Sequence, residues 1–254
     1  MKPKISIITI VFNRKKDLRK TLESIKSQTF ESKQFVVIDG GSTDGTKDIL
    51  EEYNEIIDIL VSEPDKGIYD AMNKGVSMSE GEWLNFMNAG DTYINKNTLE
   101  DVFLRESQDD DMLIGNTLID YGNFKKSLKV KSLDKIWMGA RFIHQSVIIK
   151  REYQLNNPYN IQNKIGGDFE FFYNAVQKDA SIKILDQYIS IFEAGGVSDT
   201  NRTSSILGNM RIVLKDDPSL TKFLFYILKL SFEVLKSTIK IFLPKNLIRI
   251  FQRI

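Results

Sequence analysis

Residues 34–46, QFVVIDGGSTDGT, change from an apolar run to a polar cluster within a few positions. The run 34–39 is short, continuous and rich in β-branched residues, which predicts a β-strand that is buried on both faces. Asp39 ends this run, and the Gly, Ser, Thr and Asp residues behind it favour a tight turn and then a helix that starts at Ser42 or Thr43. The stretch therefore predicts one strand, loop and helix unit with a carboxylate at the end of its strand.

The same unit recurs through the first 90 residues. The run 5–12, ISIITIVF, predicts another buried strand, and Leu18, Leu22 and Ile25 follow it at helical spacing. The remaining strand-like runs are 56–63 and 82–88, and the remaining helical patterns are 43–54 and 67–79. Strands that alternate with helices predict right-handed crossovers and a parallel, doubly wound α/β sheet.

A polar cluster follows each of the four predicted strands. These clusters lie at residues 13–14, 39–46, 63–67 and 88–91. Because ligands of open α/β sheets bind outside the carboxyl ends of the strands, we expect the four clusters to meet around one crevice.

The pattern becomes looser after residue 111, where short runs predict strands in a mixed or antiparallel arrangement. HQSVIIK, residues 144–150, predicts a strand, and residues 167–179 predict a helix with Asp168 at its N-terminus. The stretch 195–205 is rich in Gly, Ser and Thr, which predicts a polar loop at the end of the compact domain. We therefore expect an α/β domain over residues 1–205 and a helical tail over 206–254.

The tail is basic and amphipathic. Residues 219–254 contain seven Lys and Arg residues against one acid, Glu233. Pro244 should end a helix that has a narrow lysine stripe and a wide apolar face. This face either packs against the domain with the lysines in water, or lies in an anionic membrane surface. We favour the membrane, because the apolar arc is too broad for one packing partner.

Composition limits the classes of function. The 35 Lys and Arg residues against 34 Asp and Glu residues give a net charge of +1, so no overall field directs the protein to nucleic acid. The absence of Cys excludes disulfides, thiolate metal sites and a Cys nucleophile, and it is compatible with the cytoplasm. No run of 18 uncharged apolar residues predicts a membrane span, and residues 5–12 lack the cleavage site of a signal peptide.

Neither a G-x-G-x-x-G loop nor a P-loop follows the first strands, which disfavours a redox dinucleotide or P-loop site. Four motifs, at residues 5–14, 36–46, 62–75 and 81–91, together resemble the N-terminal half of the family 2 inverting glycosyltransferases, which have the GT-A fold of the α/β class. The resemblance implies a nucleotide-sugar donor, most simply a UDP-sugar. The residues that it implies around the base and ribose are Thr9, Ile10, Val11, Phe12, Asn13 and Asp39.

The resemblance also places Lys66, Asp70 and Asn73 in the donor pocket. Two of these interpretations have structural alternatives in the sequence. Asp39 or its neighbours can simply cap the following helix, and Asn73 can cap a helix or bridge strand ends.

The family usually has an acidic D-x-D-like motif for a divalent cation at the position of residues 88–91, which here are NAGD. The resemblance implies that Asp91 binds Mg²⁺ or Mn²⁺, which needs oxygen ligands and neutralises the diphosphate. Asn88 would contact the ribose or phosphate, and His144 would contact the metal or diphosphate. The alternatives are that Asp91 only starts a turn and that His144 is structural.

Inverting transfer requires a base that removes the proton of the acceptor hydroxyl. Asp168 matches the position of this base in the family, and Glu170 is the reserve candidate, since two residues so close on a helix point in different directions. The alternative for Asp168 is a first-turn acid that the helix dipole favours. Gln145 is a candidate for orienting the acceptor.

The resemblance thus implies transfer of a sugar to a hydroxyl of a glycan or lipid-linked acceptor in bacterial surface-polysaccharide synthesis, on the inner face of the plasma membrane. Two rival functions remain. A sugar-nucleotide nucleotidyltransferase would need a Gly-rich triphosphate loop that residues 9–16 lack. A non-catalytic nucleotide-sugar or membrane-binding protein would fit the depleted acidic motif.

Overall fold

A mixed β-sheet with helices on both faces forms the larger part of the protein. The computed structural model describes residues 2–105, 109–195 and 201–242. The strands are β1 Ile5–Val11, β2 Lys33–Asp39, β3 Ile59–Ser62, β4 Trp83–Phe86, β5 Thr92–Tyr93, β6 Met112–Asp120, β7 Lys125–Leu128, β8 Val147–Lys150 and β9 Ile182–Glu193. The helices are α1 Lys15–Lys26, α2 Thr46–Glu52, α3 Ile68–Met78, α4 Thr98–Arg105, α5 Arg151–Asn156, α6 Gly167–Gln177, α7 Arg202–Asp216 and α8 Leu220–Phe242.

The described strands form one sheet in the order β3-β2-β1-β4-β8-β6-β9-β5, and β7 pairs with β6. Strands β1 to β4 are parallel to each other, which confirms the prediction for the first half. Strand β8 pairs antiparallel with both β4 and β6, so the second half is mixed, as expected. Within β1 to β3, Val11, Asp39 and Ser62 lie side by side at the carboxyl ends. The predicted strand ends therefore meet at one edge of the sheet.

Alternate residues of β1 pack against helices on opposite faces of the sheet. Ile5 and Ile7 belong to the core that also contains Leu18 and Leu22 of α1. On the other face α3 approaches closely, because a Cβ at Gly75 would lie 2.5 Å from the Ile8 side chain. This two-sided burial explains why β1 is apolar without interruption.

Two local predictions are wrong in detail. Helix α2 begins at Thr46 instead of Ser42 or Thr43, and Asp44 accepts hydrogen bonds from the Thr46 N–H (3.0 Å) and hydroxyl (2.5 Å). Strand β8 begins at Val147, because His144–Ser146 form a 3₁₀ turn before it. The two residues predicted at the start of the strand, His144 and Gln145, therefore lie in a turn near the carboxyl end of β4.

The chain divides into two compact units. The larger unit contains the whole sheet, and the smaller contains Trp137–Gly139 and the described residues that follow Gly195. The predicted loop over 195–205 is wrong at its end, because α7 already starts at Arg202. Residues 196–200 and the predicted helix end at Pro244, with the basic residues beyond it, lie outside the described residues.

Helix α8 turns its charged side toward its own unit. The Lys222 ammonium lies 2.8 Å from the Asp217 carboxylate, and Glu233 pairs with Arg202 of α7 at 3.4 Å. Lys229 donates a hydrogen bond of 2.6 Å to the carbonyl of residue 138. Lys222 and Lys229 of the lysine stripe are thus bound within the unit.

The opposite side of α8 is apolar and exposed. Its exposed large apolar side chains are Leu220, Phe223, Leu224, Ile227, Leu228, Phe232, Val234, Leu235 and Ile239. This is the reverse of the alternative in which the apolar face packs inward and the lysines lie in water. Among the described residues, no helix is both long enough and apolar enough to cross a membrane.

Candidate functional site

Asp39 lies at the carboxyl end of β2 and is fully buried. Its oxygens accept hydrogen bonds from the Ser42 N–H, at 3.1 and 3.2 Å, and from the Ser62 hydroxyl at 2.6 Å. Asp44, and not Asp39, binds the first turn of α2. Asp39 therefore fixes the turn after β2 to the end of β3, and its predicted contact with a nucleoside stays a prediction.

The loop after β1 is joined to the loop after β2. The N–H of Asn13 donates to the Ser42 hydroxyl at 2.8 Å, and the Asn13 side chain accepts from the N–H of Thr43 at 2.8 Å. Asn13 has a positive φ of 51°, which Asn tolerates better than most residues. These bonds hold the two loops as one rigid wall of the crevice.

The five predicted residues of the first loop do not share one role. Thr9 and Val11 are buried, and the Thr9 hydroxyl donates to the carbonyl of Met87 at 2.7 Å, so these two side chains support the sheet. Ile10 donates its N–H to Asn88 at 3.4 Å. Phe12 is 60% exposed and lies over Gly40, where a Cβ would come 3.3 Å from its ring. Phe12 is therefore the side chain of this loop that is free to contact a base.

The motif of residues 62–75 mainly connects parts of the protein. Asp70 accepts the N–H of Lys66 at 3.0 Å and so fixes the loop just before α3, while the Lys66 side chain is exposed. Lys74 binds Asp65 at 2.7 Å, and this contact is the main reason why the pKa of Lys74 is raised. Apart from the bond between them, Lys66 and Asp70 make no side-chain hydrogen bond to another candidate site residue within the described part of the chain.

Asn73 makes a structural contact that is neither of the two alternatives in the sequence, a helix cap or a bridge between strand ends. Its amide donates to the carbonyl of Tyr159 at 2.9 Å and accepts from the N–H of the same residue at 2.9 Å. This reciprocal pair fixes the loop before α6 to α3. The pair uses one N–H and one oxygen lone pair of the Asn73 amide, and so it fixes the orientation of that side chain.

Asn88 and His144 come together at the end of β4. The Asn88 amide nitrogen lies 3.3 Å from the Nε2 of His144, and the ring of Phe86 contacts the imidazole edge-on. Burial lowers the pKa of His144, and the charge of Asp168 acts in the opposite direction. The imidazole is therefore neutral at pH 7 and near enough to Asp168 to respond to its charge.

Asp168 is half-buried at the first turn of α6. Its Oδ1 accepts hydrogen bonds from the Tyr69 hydroxyl at 3.0 Å and from the N–H of Phe169 at 2.8 Å. Glu170 instead accepts bonds from the amides of Asn160 and Asn163 at 3.2 Å or less. The two acids thus point to different surroundings, and Asp168 is the one beside the residues of the crevice.

Asp91 is only 5% exposed, and both of its oxygens have protein partners. Gln145 donates its amide to Oδ2 at 2.5 Å, and the N–H of Glu193 donates to Oδ1 at 3.1 Å. Burial raises the pKa of Asp91 to about 7. Within residues 2–105, 109–195 and 201–242, no cluster of three or more His, Cys, Asp or Glu side chains is placed to hold a metal ion. The predicted pair of Asp91 and His144 therefore does not fit a divalent cation as it stands.

The sequence interpretation missed three residues of this region. Tyr69 binds Asp168, Asp65 lies beside Gly40 under Phe12, and the Tyr159 ring packs on Tyr69 at 5.6 Å. The signal for Tyr69 was available, because it precedes Met72 and Val76 at helical spacing and all three are buried on α3, whereas Ile68 is 46% exposed. The other two depend on contacts between distant segments, which periodicity does not reveal.

Comparison with known proteins identifies the family of the chain. The model of glycosyl transferase family 2 matches residues 6–178. A PGL/p-HBAD biosynthesis glycosyltransferase of Mycobacterium bovis is 30% identical over 209 residues, which are 78% of this chain and 80% of that protein.

Two solved structures have the same fold. Staphylococcus aureus TarS 1-349 in complex with UDP-GlcNAc superposes with a TM-score of 0.67 at 21% identity, covering 83% of this chain and 65% of that one. Mannosyltransferase PcManGT from Pyrobaculum calidifontis, in complex with GDP-Man and Mn²⁺, gives 0.63 at 15% identity, covering 91% and 70%. This chain thus spans about two thirds of the TarS chain. With the family match over most of its length and this likeness of fold, the protein belongs to glycosyl transferase family 2 and is a transferase with the GT-A fold.

Proposed function

We propose that the protein transfers a sugar with inversion from a nucleotide-sugar, most simply a UDP-sugar, to a hydroxyl of a glycan or lipid-linked acceptor. The observation that supports this most is the half-exposed carboxylate of Asp168 at the first turn of α6, whose charge acts on His144, the partner of Asn88 at the carboxyl end of β4. A carboxylate with one oxygen fixed, and with no hydrogen bond to the other from the described part of the chain, is suited to act as a general base.

The proposed reaction is a single displacement. Asp168 takes the proton of the acceptor hydroxyl as its oxygen forms a bond to the anomeric carbon. The bond from that carbon to the diphosphate oxygen breaks, and the nucleoside diphosphate leaves with the electron pair. Because attack and departure occur on opposite faces, the configuration of the anomeric carbon inverts.

The use of Mg²⁺ or Mn²⁺ stays a proposal. Such an ion would neutralise the charge that develops on the diphosphate. Asp91 and His144 are already engaged by protein groups, so these two side chains do not form a ready site for such an ion. Donor binding with and without Mn²⁺ measures the requirement directly.

The donor proposal is tested by thermal shift with UDP-, GDP- and dTDP-sugars, on the wild type and on Phe12→Ala. A ligand at 100 times its Kd stabilises the folded state by about 2.7 kcal/mol, which raises the Tm by several degrees. We expect Phe12→Ala to weaken binding about 10-fold or more, because stacking of a base on an aromatic ring contributes about 1–3 kcal/mol. Tyr121→Ala, which removes a partly exposed ring far along the chain, is the control.

If no nucleotide-sugar raises the Tm and none is hydrolysed, the proposed function is wrong. If binding is strong but equal in the wild type and Phe12→Ala, the donor is held without the Phe12 ring.

We also propose that α8 binds an anionic membrane surface, on the cytoplasmic side of the plasma membrane, and so brings the crevice to a lipid-linked acceptor. Two features support this proposal. The large side chains that α8 exposes between Leu220 and Ile239 are apolar. The sequence of residues 219–254, which contains them, is basic. An apolar surface next to Lys and Arg suits the boundary between headgroups and acyl chains.

The test is sedimentation of the full chain with vesicles of phosphatidylcholine and phosphatidylglycerol. Leu228 and Phe232 are 71% and 66% exposed, so Leu228→Glu/Phe232→Glu should leave the fold intact. We expect this variant to lose at least about 10-fold in vesicle binding, since the loss of two apolar side chains and the gain of two charges both oppose insertion. Leu104→Glu, on α4 and 74% exposed, is the control. Equal binding of wild type and double variant, or a wild type that forms dimers and ignores vesicles, would show that the face has another partner.

A further inference from the structure

Tyr69 connects α3 to the first turn of α6. Its hydroxyl donates to Oδ1 of Asp168 at 3.0 Å, and the ring is 7% exposed. The same Oδ1 accepts the N–H of Phe169, so this oxygen is bound by two donors from two directions. Within the described residues, Oδ2 accepts no hydrogen bond. The two oxygens of one carboxylate therefore have different surroundings.

The position of the Tyr69 ring is fixed by its neighbours. A Cβ at Gly167 would lie 2.8 Å from two ring carbons, so only Gly lets α6 approach the ring this closely. On another side the Tyr159 ring packs against it at 5.6 Å. Asn73, one turn further along α3, holds the backbone of Tyr159 by its reciprocal pair. The ring and its hydroxyl thus have little freedom to move.

Tyr69 stays a hydrogen-bond donor over the whole working range of pH. Burial raises its pKa, and the charge of Asp168 raises it further. The groups whose charge or hydroxyl acts on Asp168 come from three segments: Tyr69 on α3, His144 before β8, and Tyr159 before α6. Of these three side chains, only that of Tyr69 makes a hydrogen bond to Asp168 in the described structure.

We propose that Tyr69 is a positioning residue that holds Oδ1 of Asp168, so that Oδ2 is the oxygen that faces the acceptor hydroxyl. This inference rests on the proposed function, in which Asp168 is the base. The bond fixes the rotation of the carboxylate about its side-chain axis. Without it the carboxylate can rotate away, and the proton transfer becomes less frequent while the donor still binds.

The test is the kinetics of Tyr69→Phe with a panel of UDP-glucose, UDP-N-acetylglucosamine, GDP-mannose and dTDP-rhamnose, using the first donor that the wild type hydrolyses. We expect kcat to fall about 10- to 100-fold, the rate equivalent of one hydrogen bond to a charged group, with KM for the donor unchanged within about twofold. Gly167→Ala should give a similar loss although the hydroxyl is present, because its methyl group displaces the ring.

The matched control is Tyr93→Phe, which removes another buried tyrosine hydroxyl bond, the one of 2.8 Å to Asn85. It should lower the Tm and leave kcat unchanged. An unchanged kcat in Tyr69→Phe, or an equal fall in Tyr93→Phe, would overturn the positioning role.

Asp168→Asn is measured in the same assay to separate the two levels of the proposal. If Asp168→Asn is inactive and Tyr69→Phe is fully active, only the positioning role is wrong. If Asp168→Asn keeps wild-type activity, the base itself is wrong and the positioning role is wrong with it.

Discussion

Asp168→Asn is expected to reduce sugar transfer about 10²- to 10⁴-fold, the usual contribution of a general base. The amide has nearly the same shape and can still accept from Tyr69 and from the N–H of Phe169, so the first turn of α6 should stay intact. What is lost is the ability to take a proton. The measurement is release of nucleoside diphosphate from the donor, together with the shift in Tm that the donor causes.

The informative control for Asp168→Asn is Glu170→Gln on the same helix. Glu170 is already bound by Asn160 and Asn163, and we expect its variant to keep activity within about threefold, because no reacting group depends on it. The Tm shift caused by donor should be the same in both variants and the wild type. Equal loss of activity in the two variants would mean that disturbance of α6, and not loss of a base, explains the effect.

Asp91→Asn is expected to stabilise the protein at pH 8, by between about 1 and 4 kcal/mol. Burial raises the pKa of Asp91 to about 7, so above that pH the folded protein must hold an ionised carboxylate away from water. An amide has no charge to desolvate. Its new N–H₂ group also finds an acceptor, because the Oε1 of Gln145 is buried without a partner and becomes available when the Gln amide flips.

The sign of the pH dependence follows from the same shift. A carboxyl with a raised pKa in the folded state binds its proton more tightly than the unfolded chain does between pH 4 and 7. In the wild type this group therefore makes stability fall as pH rises through that window. The advantage of Asp91→Asn should be absent near pH 4 and reach its full size above pH 7, measured as Tm against pH.

The control for the removal of one charge is Asp186→Asn, at a side chain that is 99% exposed. The Tm difference between this variant and the wild type should not grow as the pH rises from 4 to above 7. A lower Tm of Asp91→Asn at pH 8 would show that the ionised carboxylate is needed. If that loss appears only with Mn²⁺ present, Asp91 is a metal ligand after all.

Much of the first half of the fold was predictable from the sequence, because its information is local. Strands such as 5–12 and 34–39 are apolar runs, and the helices between them have apolar residues at helical spacing. Parallel strands that alternate with helices leave few topologies, so the meeting of the strand ends followed from the order of elements. The family motifs then predicted which loops form the donor crevice, and this stays a prediction.

The second half was less predictable, because its contacts join distant segments. Strand β9 runs parallel to β6 along most of its length and also pairs with β5. The partner of Asp168 is 99 residues away, and the partner of Asn73 is 86 residues away. No spacing rule relates such positions. The sequence indicated Asp39 as a nucleoside ligand and Asp91 as a metal ligand, but it did not indicate that protein groups already bind their oxygens.

The tail shows the same limit in another form. The sequence correctly predicted a helix with a wide apolar face and a narrow charged one. Which face is exposed depends on what the helix packs against, and amphipathicity alone does not contain that information.

Helix α3 has a practical consequence for recombining this enzyme with its relatives. Through Tyr69 and Asn73 it is matched to Gly167 and to the backbone of Tyr159, so the two halves of the domain are fitted to each other residue by residue. A hybrid that takes the first half of the domain from one parent and the second half from another would mix these partners. Crossovers should succeed only where residues 69–73 and 159–168 come from the same parent.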